Sequence, residues 1–138
     1  MHTTIHEMLR ANPRAADKAI PKLLSDCADT CSECELACNA CADACLAEQQ
    51  VASLRRAIRL NLDCADVCAT TSRIISRVIE ADSAAMAALL RACAAACAAC
   101  ASECEEHAPH HEHCRICAAV CRRCQQICEL ALHQHFSS

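Results

Sequence analysis

Residues 27–45 read CADTCSECELACNACADAC and carry six cysteines: Cys27, Cys31, Cys34, Cys38, Cys41 and Cys45. The gaps between them run four, three, four, three, four. Their mean lies close to the 3.6 residues of one α-helical turn. All six thiols therefore fall in one stripe down one face of one helix.

Three more runs follow the same rule. Cys64 and Cys68 lie in CADVC. Cys93, Cys97, Cys100 and Cys104 lie in CAAACAACASEC, and Cys114, Cys117, Cys121, Cys124 and Cys128 in CRICAAVCRRCQQIC. The seventeen cysteines thus form four phased stripes on four helices. This spacing disfavours disulfides within a helix, because side chains three or four apart have Cβ atoms roughly 5–6 Å apart and a disulfide wants about 3.8 Å. The odd count and the absence of an export signal also oppose a secreted disulfide scaffold. The N-terminal MHTTIHEMLRANP has no basic region followed by an apolar stretch, so a cytoplasmic location is expected.

Composition agrees with an all-α fold. The chain of 138 residues has thirty alanines, no glycine, three prolines, no Trp or Tyr and a single Phe, Phe136. Alanine is the best helix former. Aromatic residues, which normally supply much of a core, are nearly absent, so the thiols must fill the interior. A net charge of −4 with interleaved signs argues against a nucleic-acid binder, since no basic stripe or stacking aromatics are present. No apolar run is read as long enough for a membrane span.

Local signals place the helix ends. Thr4 with Glu7 marks a capping box for a short helix ending near Asn12-Pro13. Pro21 suits the first turn of a long helix reaching about Ala47. Ser53 caps a second to about Glu80, and Asp82 or Ser83 a third to about His107. Pro109 suits the first turn of a fourth to about His133. Short connections make neighbours antiparallel. The expected architecture is an up-down-up-down four-helix bundle with a short N-terminal helical extension: one domain over 1–138, the extension at 1–20 and the bundle at 21–134.

In that bundle Cys45, Cys104 and Cys114 lie near one end, the mouth. Cys27, Cys93 and Cys128 lie deepest. Beyond them Leu23, Leu24, Ile74, Ile75, Val78, Met86, Leu89, Leu90 and Leu130 are expected to close the tube as an aliphatic plug. One cysteine on a core face is ordinary packing. Seventeen in phase are not, because each thiol in place of Leu forgoes roughly 1 kcal/mol of burial.

Four histidines, His107, His110, His111 and His113, cluster at the mouth turn. His107 extends the Cys97, Cys100, Cys104 series by three residues and should face the tube. His110, four before Cys114, is next in line. His2, His6, His133 and His135 read as surface. Asn61, three before Cys64, should face the interior near the mouth. Glu103, Glu105, Glu106 and Glu112 read as a solvated face neutralised by Arg55, Arg56 and Arg59. No nucleophile–base pair argues for catalysis.

A tube of thiols wants a soft ion: Cu(I), Zn(II) or an iron–sulfur cluster. Several zinc tetrathiolates would each leave excess negative charge in a dry core, although bridging thiolates would let zinc share ligands. Cu(I) accepts two or three sulfurs and can approach one ion per thiolate. Iron–sulfur clusters usually hang on loop motifs. The CxxxC and CxxC stripes of all four helices, with His107 and the HHEHC segment at one end, resemble the bacterial cytosolic copper storage proteins over about residues 20–130. The resemblance implies a homotetramer of four-helix bundles that hold many Cu(I) ions, mostly between two or three thiolates, with histidines assisting at the open end. The matching residues are the seventeen cysteines and His107, His110, His111 and His113. The expected function is storage or buffering of about 17–20 Cu(I) per chain, exchanged with a chaperone or small thiol. The alternatives are an iron–sulfur electron-transfer protein and a zinc or cadmium detoxification protein.

Overall fold

The computed structural model describes residues 3–14 and 22–136. Its elements are α1 (Thr4–Arg10), α2 (Lys22–Ala47), a 3-10 turn (Val51–Leu54), α3 (Arg55–Ile75), α4 (Ser83–His107), α5 (Glu112–Ala131) and a final π turn (Leu132–Phe136). Helices α2 to α5 form a closed ring in which α2 packs on α3, α3 on α4, α4 on α5 and α5 on α2. The all-α four-helix bundle expected from the sequence is the fold observed.

The register of α2 against α5 is read from sulfur to sulfur. Cys31 meets Cys124 at 3.6 Å, Cys34 meets Cys121 at 3.8 Å, Cys38 meets Cys117 at 3.8 Å and Cys41 meets Cys114 at 4.0 Å. Rising numbers on one helix meet falling numbers on the other, so the pair is antiparallel. On the opposite wall Cys64 meets Cys97 at 3.7 Å and Cys68 meets Cys93 at 3.8 Å.

Several boundaries differ from the sequence reading. The first cap is Thr3, not Thr4: its hydroxyl accepts from the His6 N–H and donates to Asp29 at 2.7 Å, tying α1 to α2. Ser53 caps nothing. It sits inside the 3-10 turn and donates to the Gln50 carbonyl. Helix α3 stops at Ile75, and the turn beyond it places Glu80 at φ 55°, a left-handed conformation that a non-glycine residue adopts at some cost. Asp82 caps α4 as expected, accepting from Ala85 N–H at 2.9 Å. Helix α5 begins at Glu112 with His111 as its cap residue, so Pro109 lies in the turn before it. Pro21 and His2 lie outside the described residues.

The plug is smaller than expected. Leu24, Ile75, Met86 and Leu90 are buried, but Leu23, Ile74, Val78 and Leu89 are only half-buried and Leu130 faces out. Leu130 lies two residues past Cys128, off the α5 stripe, and its neighbour Ala131 takes the core position. His6 also differs: it is buried, not surface, between Asp26 and Asp29 at 3.6 and 3.8 Å. One further correction concerns length. Helix α4 is long and apolar enough to cross a membrane by composition alone, because alanine and cysteine make the run that the sequence reading passed over. In the bundle its cysteine face is buried against α3 and α5.

Candidate metal centre

All seventeen cysteines are free and buried. Twelve of their sulfurs fall in four groups of four whose ligand atoms lie within 4.8 Å of one another. From the closed end these are Cys31, Cys93, Cys124 and Cys128; then Cys34, Cys68, Cys97 and Cys124; then Cys34, Cys38, Cys64 and Cys121; then Cys38, Cys100, Cys117 and Cys121. Consecutive groups share a sulfur: Cys124, then Cys34, then Cys38 with Cys121. These four groups are therefore continuous, and an ion held in one would share a sulfur with an ion held in the next. At a thiolate–metal bond of about 2.3 Å, sulfurs sharing an ion stand roughly 3.8 Å apart in a tetrahedron and 4.0 Å in a triangle. The closest sulfur contacts, 3.6 to 4.0 Å, fall in the same range.

The protons of such an array are coupled. Cys27 is lowered to about 5 by hydrogen bonds from Cys128 and then Cys31. Cys31 is raised, first by its bond with Cys124 and then by Cys128. Each shift is the work of a neighbouring sulfur on the same or the facing helix. Near the mouth, burial dominates instead: it raises Cys45, and it pushes Cys114 up to about 12 with help from the charges of Cys45 and Cys104.

The mouth is built from Cys41, Cys45, His113 and Cys114. His113 places Nδ1 at 3.4 Å from Cys41 Sγ and 3.6 Å from Cys114 Sγ. Its Nε2 meets Glu48 at 2.9 Å, and His111 Nδ1 meets the same carboxylate oxygen at 2.9 Å. The His113 bond holds the Glu48 carboxyl below its ordinary range. His107, half-buried, bonds Glu103 at 2.9 Å and lies 6.5 Å from the His111 ring. His110, expected second, is exposed, because the turn before α5 carries it outward. Glu103 is not a solvated residue: its side chain is 14% exposed and lies 3.6 Å from Arg56. Glu105 bonds Arg122, and Glu112 bonds Arg115, rather than the arginines of α3. Glu48 was missed by sequence reasoning. It follows Cys45 by three residues, the helical step that also marks His107, and that signal was available. Asn61 lies where expected, fully buried, with Oδ1 at 3.1 Å from both Cys100 and Cys117.

Residues 21–133 match the family model described as copper storage protein. The chain belongs to the copper storage protein family. Among solved structures it is similar to the copper storage protein Ccsp from Streptomyces lividans loaded with 10 copper equivalents, at 45% identity over 94% of this chain and 98% of that one, with a TM-score of 0.90. It is also similar to a cytosolic copper storage protein from Streptomyces lividans with five coppers, at 48% identity over 81% of this chain and 93% of that one, with a TM-score of 0.80. No curated protein matches. For a copper storage protein the cargo is the metal itself, and the donor set described above is soft enough to hold it.

Proposed function

We propose that this copper storage protein works in the cytosol and holds Cu(I) along the whole sulfur array, on the order of 17–20 ions per chain, with all seventeen cysteines as ligands. The observation that carries this reading is charge. The buried polar residues are His6, Ser25, Asn61 and Thr71, so no buried Lys or Arg among the described residues offsets a tube of thiolates. One monovalent ion per thiolate leaves the tube near neutral. Zinc with four separate thiolates leaves two negative charges per site, which a dry core penalises by several kcal/mol each. His107, His111 and His113 would receive ions at the mouth and pass them to Cys41, Cys45 and Cys114, since imidazole binds Cu(I) less tightly than thiolate does. His110, being exposed, would act as an outer contact.

The helices from α2 to the final π turn act together as a single container, with α1 fastened outside. A homotetramer is proposed from the family resemblance, and the exposed Leu36, Leu62 and Ile116 on the outer faces of α2, α3 and α5 would be covered in it. Copper would be exchanged with a chaperone or a small thiol, and no catalytic role is assigned. The test is an anaerobic Cu(I) titration against a chromophoric chelator, with zinc in competition. A plateau near one ion per cysteine is expected, and a plateau at four or fewer would sink the storage reading.

A further inference from the structure

The closed end of the bundle carries a groove on its outer side, between the start of α4 and the π turn that follows α5. It holds about 970 Å³, and no cysteine lines it. That volume lies within the range of small-molecule sites.

The groove arises from local sequence. Ala84, Ala87 and Arg91 stand three and four residues apart and share one face of α4. The two alanines make a flat wall without bulk. Opposite them the chain leaves the α-helical path after Ala131, and the wider turn brings Leu132 and Phe136 to the groove. Turns of this kind occur often at functional sites.

One end of the groove is charged. Arg91 lies two residues before Cys93, and Glu129 one residue after Cys128. Those two sulfurs belong to one group within 4.8 Å, so Arg91 and Glu129 stand at the same level on the antiparallel helices. Both line the groove, yet they do not pair. Among the described residues Arg91 has no hydrogen bond or ion pair, and Glu129 accepts only from Gln125, at 2.9 Å. A guanidinium and a carboxylate that share a groove without meeting each keep capacity for an outside partner.

We infer that this groove binds an α-amino acid with a large apolar side chain. The ligand carboxylate meets the planar donor fork of Arg91, and its ammonium group meets Glu129. Its side chain lies along Ala87, Ala84, Leu132 and Phe136, where an aromatic ring can meet Phe136 edge to face. Glu129 repels a simple anion and Arg91 a simple cation, whereas a zwitterion satisfies both. The bound molecule joins α4 to the end of α5 and touches none of the thiols.

The test uses the full chain, kept reduced, with L-phenylalanine as the probe. The matched anion is 3-phenylpropanoate and the matched cation phenethylamine. Methyl and aromatic NMR signals of Ala84, Ala87, Leu132 and Phe136 report binding. Phenylalanine should shift them saturably at millimolar concentration, and each one-charge analogue should bind about tenfold more weakly, as expected for a lost bond to a charged group. Arg91→Ala and Glu129→Gln should each weaken phenylalanine binding by about tenfold and leave helicity and Cu(I) capacity unchanged. Both side chains are exposed, so neither substitution opens the core. The inference is overturned if phenylalanine gives no saturable shift, if the three probes bind equally, or if both variants bind phenylalanine as the wild type does. The comparison of the three probes on wild-type protein decides the matter even where a variant does not fold.

Discussion

His113 Nδ1 stands 3.4 Å from Cys41 Sγ, while the other nitrogen of the same ring is held by Glu48 at 2.9 Å. The imidazole is thus fixed at both ends: one nitrogen faces the thiol array and the other is oriented by a carboxylate. That is the arrangement by which outer partners orient metal-binding histidines. His110 has no such placement and is exposed. Replacing His113 by Ala should therefore slow copper uptake by roughly tenfold, and replacing His110 should leave it nearly unchanged. Stopped-flow uptake with a chromophoric Cu(I) donor measures both. Equal effects of the two substitutions would remove the special role given to His113.

Glu48 joins His111 and His113 through one oxygen. Glu48→Ala frees both rings to turn. We expect roughly 10-fold or greater loss of affinity for the ion held at Cys41, Cys45, His113 and Cys114. Ions deeper in the tube should be unaffected, since Glu48 touches none of their ligands. Chelator competition at low and at high copper load separates the two populations. Uniform weakening at all loads would point to a general loss of structure instead.

The stripes of cysteine made the four helices and their inner faces legible, because a period of 3.6 sustained over long runs fits a helix and does not fit a strand. Asn61 and His107 were found by extending those stripes one helical step. What the sequence hid were relations between helices. Glu48 meets His113, 65 residues away, and no local pattern joins the two. His6 was read as surface because α1 is short. Its burial follows from docking on Asp26 and Asp29 of α2, a contact set by tertiary packing. The end of α3 was placed too late because Ile79 and Glu80 continue the helical pattern, whereas the turn needs them.

Cys114 carries a pH signature. Burial, with the nearby charges of Cys45 and Cys104, pushes its thiol up to about 12 from an ordinary 9.0. The folded state thus holds this proton more tightly than the unfolded chain does. Its contribution to stability is fully present below about pH 9 and is lost as pH rises from there through about 12. Metal-free protein should therefore melt at progressively lower temperature above about pH 9. Copper-loaded protein has already given up this proton and should lack that dependence. Anaerobic thermal melts of both forms across this range provide the check, and a loaded form that declines as steeply would count against Cys114 as a ligand.

The metal-free protein should be folded, and its closed end explains why. Helices α2 to α5 satisfy their own backbone hydrogen bonds, and protonated thiols pack as small apolar groups. Leu90 and Ile75 are fully buried beneath the thiols, with Leu24 and Met86 beside them. This is a conventional core that needs no ion, unlike the small zinc domains that unfold when stripped. Far-ultraviolet circular dichroism of reduced, stripped protein should show strong helicity that changes little on loading. Leu90→Ala should then cost about 2–5 kcal/mol in the metal-free protein. Copper bound only to the folded state adds stability by mass action, so the same variant should be substantially rescued when loaded. A stripped protein that is coil, and becomes helical only with copper, would mean that the metal builds the container as well as filling it.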